Sequence, residues 1–488
     1  MLRCRRTALA VALAVVAAAC GGGGDNAGNT TTSDAPSSIE ATTTTVGADA
    51  VAGAGGVGDP YFPGLGNSGY DVGHYTLDLR SDPATGQLDG VARIEATATE
   101  PLASFHLDLT GLAASAVTVD GEPATFAATP NELEINPVEP VAEGPFTVVV
   151  TYGGRPEPID SRALGPVGWT TLRGGAGSFV LSEPQGSATW FPANDHPIDK
   201  ALFSFRVTVP DGFEVVANGV LQSQAPNGDG TTTWKYEVAH PMATYLAIVD
   251  IGQFTFEEFA GPNGLPMRNA YADSVAAQAA AEFGGQDEMI DLFDDFFGPF
   301  PFETYGAVIV DVPLGVALEN QTMSTFGRTI LGNGDFGQQI IAHELSHQWF
   351  GDSVSVATWS DIWLNEGFAT YAEWIFTENT GGLTRVQQAA DARSRLIGSG
   401  SDALPPGDPG PDLLFDLAVY DRGGLTLHAL DLQIGDEAFF TLLRRWATEH
   451  ADSNVTTAQF IALAEEVSGQ QLDDLFQRWL YDRPLPAA

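Results

Sequence analysis

Cysteine is almost missing from this 488-residue chain: there are two, Cys4 and Cys20, both within the first twenty residues. The rest of the chain therefore holds no intrachain disulfide. Positive charge is scarce as well. Against 63 acidic residues stand 21 lysines and arginines, a formal charge of -42. No basic run interrupts that balance, which disfavours nucleic acid as a partner. The excess acid either draws cationic substrates or serves solubility alone. The apolar run at the start, Thr7–Ala19, has 13 residues, short of the ~20 that a spanning helix needs. No internal repeat is visible.

What is present begins with a targeting segment. Arg3, Arg5 and Arg6 precede the apolar run, which ends "AAAC" at Cys20. It resembles a bacterial lipoprotein signal, in which the cysteine is lipidated and becomes the new N-terminus. Ala17 departs from the leucine commonest there, and an ordinary cleaved secretory signal is the alternative. Removing residues 1–20 takes three arginines and no acids, leaving 18 basic against 63 acidic residues, or -45. Residues 21–58 are rich in Gly, Thr, Ser and Ala without apolar patterning, and read as a flexible tether between anchor and body.

The body reads as two domains. Over 59–256 short strands alternate with turn signals. "FSFRVTV" puts Phe203, Phe205, Val207 and Val209 on one face, and "YTLDL" and "FTVVVTY" have the same texture. The pattern implies an antiparallel β domain of two or more sheets, or two small β domains in series. Over 257–488 the spacing becomes helical, as in "FGQQIIAHELSHQWFG" and "DIWLNEGFATYAEWIFTENTGG", with a short strand "YGAVIVDV" among the helices. The fold class is α+β, multidomain.

The second domain carries the chemistry. In "HELSHQWFGDSVSVATWSDIWLNEG", His343 and His347 stand four apart, so one helical face offers both imidazoles to one ion. Glu344 between them points beside that ion. Zinc held by three protein groups keeps a fourth position for water and lowers its pKa, and a nearby carboxylate can take the proton. Glu366, separated from His347 by 18 intervening residues and on a second predicted helix, supplies a third ligand if the two helices run antiparallel. So short a pattern also arises by chance on surface helices, but Ile340, Ile341, Leu345, Trp349 and Phe350 surround this one. Two other zinc spacings fail: Ser353 stands where a third histidine would be, and Thr370 where a downstream aspartate would be.

These segments resemble the gluzincin zinc aminopeptidases of peptidase family M1, related to aminopeptidase N. "HELSHQWFGD" and "WSDIWLNEGFATY" are similar to its zinc signature. "EPQGSATWFPANDHPIDKALF" is similar to its β-domain signature, "GVALENQTM" to its substrate-binding strand, and "VYDRGG" to the segment of its catalytic tyrosine. Val316, Leu318, Asp352 and Thr358 depart from the commonest residues of these motifs. The resemblance implies a β-sandwich or saddle domain followed by a thermolysin-like, mainly helical peptidase domain with a small sheet. It implies one Zn²⁺ on His343, His347 and Glu366, with Glu344 as general base and Tyr420 as oxyanion donor. For the substrate it implies Glu319 and Gln185 at a free ammonium, with Ala317 and Asn320 as neighbouring contacts. Only 68 residues follow Tyr420, so the likeness is to a short form lacking the large helical C-terminal domain, with a more open site.

The activity this implies is removal of N-terminal residues from peptides outside the cytoplasm, by a chain anchored at Cys20. A zinc endopeptidase or another hydrolase on the same scaffold, and a non-catalytic surface binding protein, are the alternatives. Asp361 either caps the second zinc helix or orients a histidine. His196, His240 and His428 read as structural.

Overall fold

The computed structural model describes residues 50–486. The signal segment, Cys20 and the tether up to residue 49 lie outside the described residues.

Strict alternation builds the β domain. In the strand Lys200–Pro210, Phe203, Phe205, Val207 and Val209 turn inward and are buried. Phe203 registers against Tyr75 of the parallel strand Tyr70–Asp82, their rings stacked 4.9 Å apart. A ring so enclosed contributes on the order of 3 kcal/mol, and Phe203→Ala should cost about 3–5 kcal/mol. These two strands lie inside an eight-stranded sheet. Sheets of five and four strands complete the domain. Pairing is antiparallel except where Lys200–Pro210 meets Tyr70–Asp82 and where Val51–Ala52 meets Leu102–Asp108.

Two of the expected boundaries move. Val51–Ala52 pairs with the strand Leu102–Asp108, and the Gly53 N–H donates to the Ser104 carbonyl. The last residues of the expected tether therefore belong to the body. They do so through backbone hydrogen bonds, which leave no apolar pattern to read. Likewise Phe254–Ala260 pairs with Pro266–Ala272, which continues into Ala307–Val310 and Ser324–Gly327. This four-stranded sheet belongs to the second domain, which begins a few residues before 257.

Eight helices of seven residues or more dominate the rest of that domain among the described residues: α1 (Ala276–Glu282), α2 (Gln286–Phe297), α3 (Asp335–Ser346), α4 (Trp363–Asn379), α5 (Arg385–Ser399), α6 (Gly423–Ile434), α7 (Asp436–Glu449) and α8 (Thr457–Ser468). Gly284 and Gly285 divide α1 from α2. Gly381, at φ +88°, stops the chain after α4, because a left-handed residue cannot continue the helix. The apolar core is continuous between the two domains. No described helix is long and apolar enough to cross a membrane.

Candidate active site

Two helices and the turn between them bring His343, His347 and Glu366 together. His343 and Glu344 sit in the last turn of α3, His347 is the residue after it, and Glu366 lies in the first turn of α4. Gly351, at φ +136°, lets the chain leave α3, and a Cβ there would come 3.2 Å from His347 Nδ1. α4 crosses α6 at Gly367 and Gly423, where a Cβ on either glycine would meet the opposite backbone under 3 Å away. That close crossing carries the segment ahead of α6, with Tyr420, up to the histidines.

The donor set fits zinc. His343 Nδ1 donates to Glu373 Oε1 at 2.6 Å, and His347 Nδ1 donates to the Phe350 carbonyl at 2.9 Å. Each ring then presents Nε2 as a lone pair. Both face one oxygen of Glu366, at 3.2 and 3.5 Å, and the three ligand atoms lie within 4.8 Å of one another. Three buried acceptors turned toward one another call for a cation. Burial disfavours charge on both imidazoles, yet the carboxylates around them raise their proton affinity. Burial also works to raise the Glu366 carboxyl, but the two histidines overcome it and hold it low.

Glu373 was not singled out in the sequence. Its signal was available: it lies seven residues, about two turns, beyond Glu366, on the same face of α4. Asp361 is not a histidine partner. Its carboxylate accepts from the Thr457 hydroxyl at 2.6 Å and from the Thr358 hydroxyl at 3.3 Å, tying the entrance of α4 to that of α8.

Glu344 is buried between the histidines and a second group of acids. Burial lifts its carboxyl to about 8, against the pull of both imidazoles. Tyr420 lies in a single π-helical turn, Ala418–Arg422, with its ring stacked on His343 at 5.9 Å. Arg422 holds that turn. Its buried guanidinium donates to the carbonyls of Trp479 and Asp482 at 2.7 and 2.6 Å, and to those of Leu404 and Arg478.

The second group of acids is assembled from distant segments. Gln348, beside His347, pins the loop that carries Glu319. Its amide donates to the Glu319 carbonyl at 2.8 Å and accepts from the Thr322 N–H at 2.7 Å. The Tyr245 hydroxyl, from the β domain, reaches Glu319 Oε1 at 3.4 Å. The β domain also contributes Glu183, which is buried, with Oε1 unpartnered. Burial raises its carboxyl well above the usual range, and repulsion from Glu319, Glu366 and Glu344 raises it further.

Two of the expected substrate contacts have no side-chain hydrogen bond to the zinc ligands or to Glu319 among the described residues. Gln185 is only half-buried and makes no hydrogen bond to the site among the described contacts; Glu183, two residues earlier in the same "EPQG", faces Glu319 instead. Asn320 is fully buried, and its amide works inside the protein, donating to the Leu246 carbonyl and accepting from the Thr325 hydroxyl. It braces the loop. Ala317 stays on a cleft of about 270 Å³, lined also by Val316, Phe336 and Ile340.

Comparison with known proteins agrees with this arrangement. The model described as "Peptidase family M1 domain" matches residues 281–479, and "Peptidase M1 N-terminal domain" matches 72–246. Aminopeptidase M1-B of Oryza sativa subsp. japonica is 27% identical over 451 residues, 84% of this chain and 50% of that protein. Glutamyl aminopeptidase of Bitis rhinoceros is 27% identical over 324 residues, 61% of this chain and 33% of that protein. The chain thus spans half or less of the length of these curated relatives. A crystal structure of an M1 zinc metallopeptidase from Deinococcus radiodurans matches with a TM-score of 0.82 at 33% identity, covering 88% of this chain and 98% of that one. A mutant of that protein was solved bound to a Tyr-Ser-Ala substrate.

Proposed function

The chain belongs to peptidase family M1, and from that premise we propose that it is a zinc aminopeptidase that removes N-terminal residues from peptides. The observation that carries this reading is the pair of buried carboxylates, Glu319 and Glu183, set beside the histidine–glutamate triad. Four carboxylates (Glu183, Glu319, Glu344 and Glu366) converge there. A divalent ion offsets two of their charges, and a substrate ammonium offsets a third.

His343, His347 and Glu366 hold the ion. Zinc, when bound, lowers the pKa of a water and polarises a carbonyl. Glu319 and Glu183 bind the free ammonium and so fix the first peptide bond near the histidines. Glu344 takes the proton of the attacking water on its carboxylate and passes it to the leaving amine. The Tyr420 hydroxyl donates to the carbonyl oxygen as it gains charge. Glu373 and the Phe350 carbonyl keep both imidazoles turned correctly.

Aminoacyl chromogenic amides test this reading, offered with a free amine and N-acetylated, with and without a chelator. Free substrates should be cleaved, and the chelator should abolish the cleavage until zinc is restored. Equal cleavage of acetylated substrates would favour an endopeptidase. No cleavage by zinc-loaded protein would favour a binding protein.

Location is a second part of the proposal. The charged, apolar and "AAAC" sequence of residues 1–20 supports export and a lipid anchor at Cys20. Cys20→Ser should release active enzyme from membranes, and retention of that variant would count against lipidation.

A further inference from the structure

Ahead of the segment that matches the family's N-terminal domain lies "DPYF", Asp59–Phe62. It touches neither the zinc ligands nor the ammonium carboxylates, yet it binds the elements that lead to both. Asp59 is buried and its carboxylate is fully used. Oδ1 accepts the N–H groups of Tyr61 and Phe62 at 2.8 and 2.9 Å. Oδ2 accepts the Trp359 N–H at 2.9 Å and His196 Nε2 at 3.1 Å. Because His196 Nδ1 accepts the Ile198 N–H, its Nε2 carries the proton and donates.

Trp359 is the pivot. It lies just ahead of α4, which carries Glu366, and its ring is wholly buried. One neighbour is Phe62, edge-on at 6.3 Å; another is Tyr245, at 5.3 Å, whose hydroxyl reaches Glu319. The same short segment holds a second element. The Tyr61 hydroxyl donates to Asp408 at 2.6 Å and accepts from the Gly410 N–H at 3.0 Å. That loop leads into the turn bearing Tyr420.

We infer that Asp59–Phe62 is a strap that aligns the active site, with Asp59 a positioning residue acting through Trp359 and Tyr245 on Glu319, and Tyr61 holding the loop before Tyr420. The kinetic part of this inference rests on the aminopeptidase reading; the structural part does not.

Asp59→Asn in the full, zinc-loaded chain tests it. An amide cannot serve both ends: whichever way it turns, two N–H donors face its own NH₂. A hydrogen bond to a charged group contributes about 1.5–3 kcal/mol. Hydrogen exchange in residues 357–366 should therefore rise about tenfold or more, with α5 unchanged. KM for a free-amine substrate should rise ~5–10-fold, while kcat stays within about twofold and zinc content stays at one per chain. A lower melting temperature with exchange raised uniformly and KM unchanged would overturn the inference, since that is what a merely structural residue does. Should Asp59→Asn fail to fold, Tyr61→Phe decides: exchange in residues 404–412 should rise a few-fold, and unchanged exchange there would overturn it. If the parent cleaves no free-amine substrate, the aminopeptidase reading fails separately, and exchange at 357–366 still decides the strap.

Discussion

The site has two ends, built in different ways. At the zinc end each histidine has an outer partner. Glu373 orients His343, the Phe350 carbonyl orients His347, and the three donors turn inward from one helix pair. At the ammonium end the carboxylates are left short. Glu183 keeps an unpartnered oxygen, Glu319 has a single distant hydroxyl at 3.4 Å, and burial, with repulsion from Glu319 added to it, raises Glu183. The first end is preorganised to hold a resident ion. Under the proposed function, the second is held open for a substrate ammonium, whose positive charge would offset that repulsion.

Substitutions should separate the two ends. The largest effect belongs to the zinc end. Glu344→Gln keeps size and loses basicity, so turnover should fall ~10²–10⁴-fold with zinc still bound. Loss of zinc, read by metal analysis, would make Glu344 a ligand instead. Tyr420→Phe should lower kcat by ~10²–10³-fold with little change in KM. An unaltered kcat would assign the oxyanion to another donor. Next comes the ammonium end. Glu319→Ala should cut kcat/KM for free amines by ~10²–10³-fold or more, since half-breaking a buried charge pair typically costs about 3–5 kcal/mol. Equal losses on acetylated substrates would mean that Glu319 does not read the amine. Glu373→Gln should weaken zinc ~10–100-fold, read by competition with a chelator, and leave the rate of fully loaded enzyme close to the parent. The smallest effect sharpens the comparison: Gln185→Ala should stay within about twofold of the parent, whereas Glu183→Gln should not.

The two ends also differ in how far the sequence reveals them. Spacing alone placed His343, His347 and Glu366, because a helix, a turn and a helix carry local geometry in a local pattern. The alternation in "FSFRVTV" likewise foretold a strand with its buried face. The ammonium end joins Glu183, Tyr245 and Glu319, residues far apart in the chain. No periodicity links them, and Glu183, two residues before Gln185 in "EPQG", was not singled out although the fold buries it beside Glu319. The bracing role of Asn320 was likewise illegible, because its partners Leu246 and Thr325 are set by the fold and not by the motif. Asp59 was invisible because its partners, His196 and Trp359, are 137 and 300 positions away.

The most direct measurement pairs two substrates with two proteins. Take one aminoacyl amide with its amine free and with it acetylated, and compare kcat/KM for the parent and for the Glu183→Gln, Glu319→Ala double variant, both zinc-loaded. The account predicts a strong preference for the free amine in the parent. In the double variant that preference should collapse toward unity, with zinc content and acetylated turnover nearly unchanged. A preference that survives the double substitution, or a parent that cleaves both forms equally, would contradict the assignment of this end of the site to a substrate ammonium.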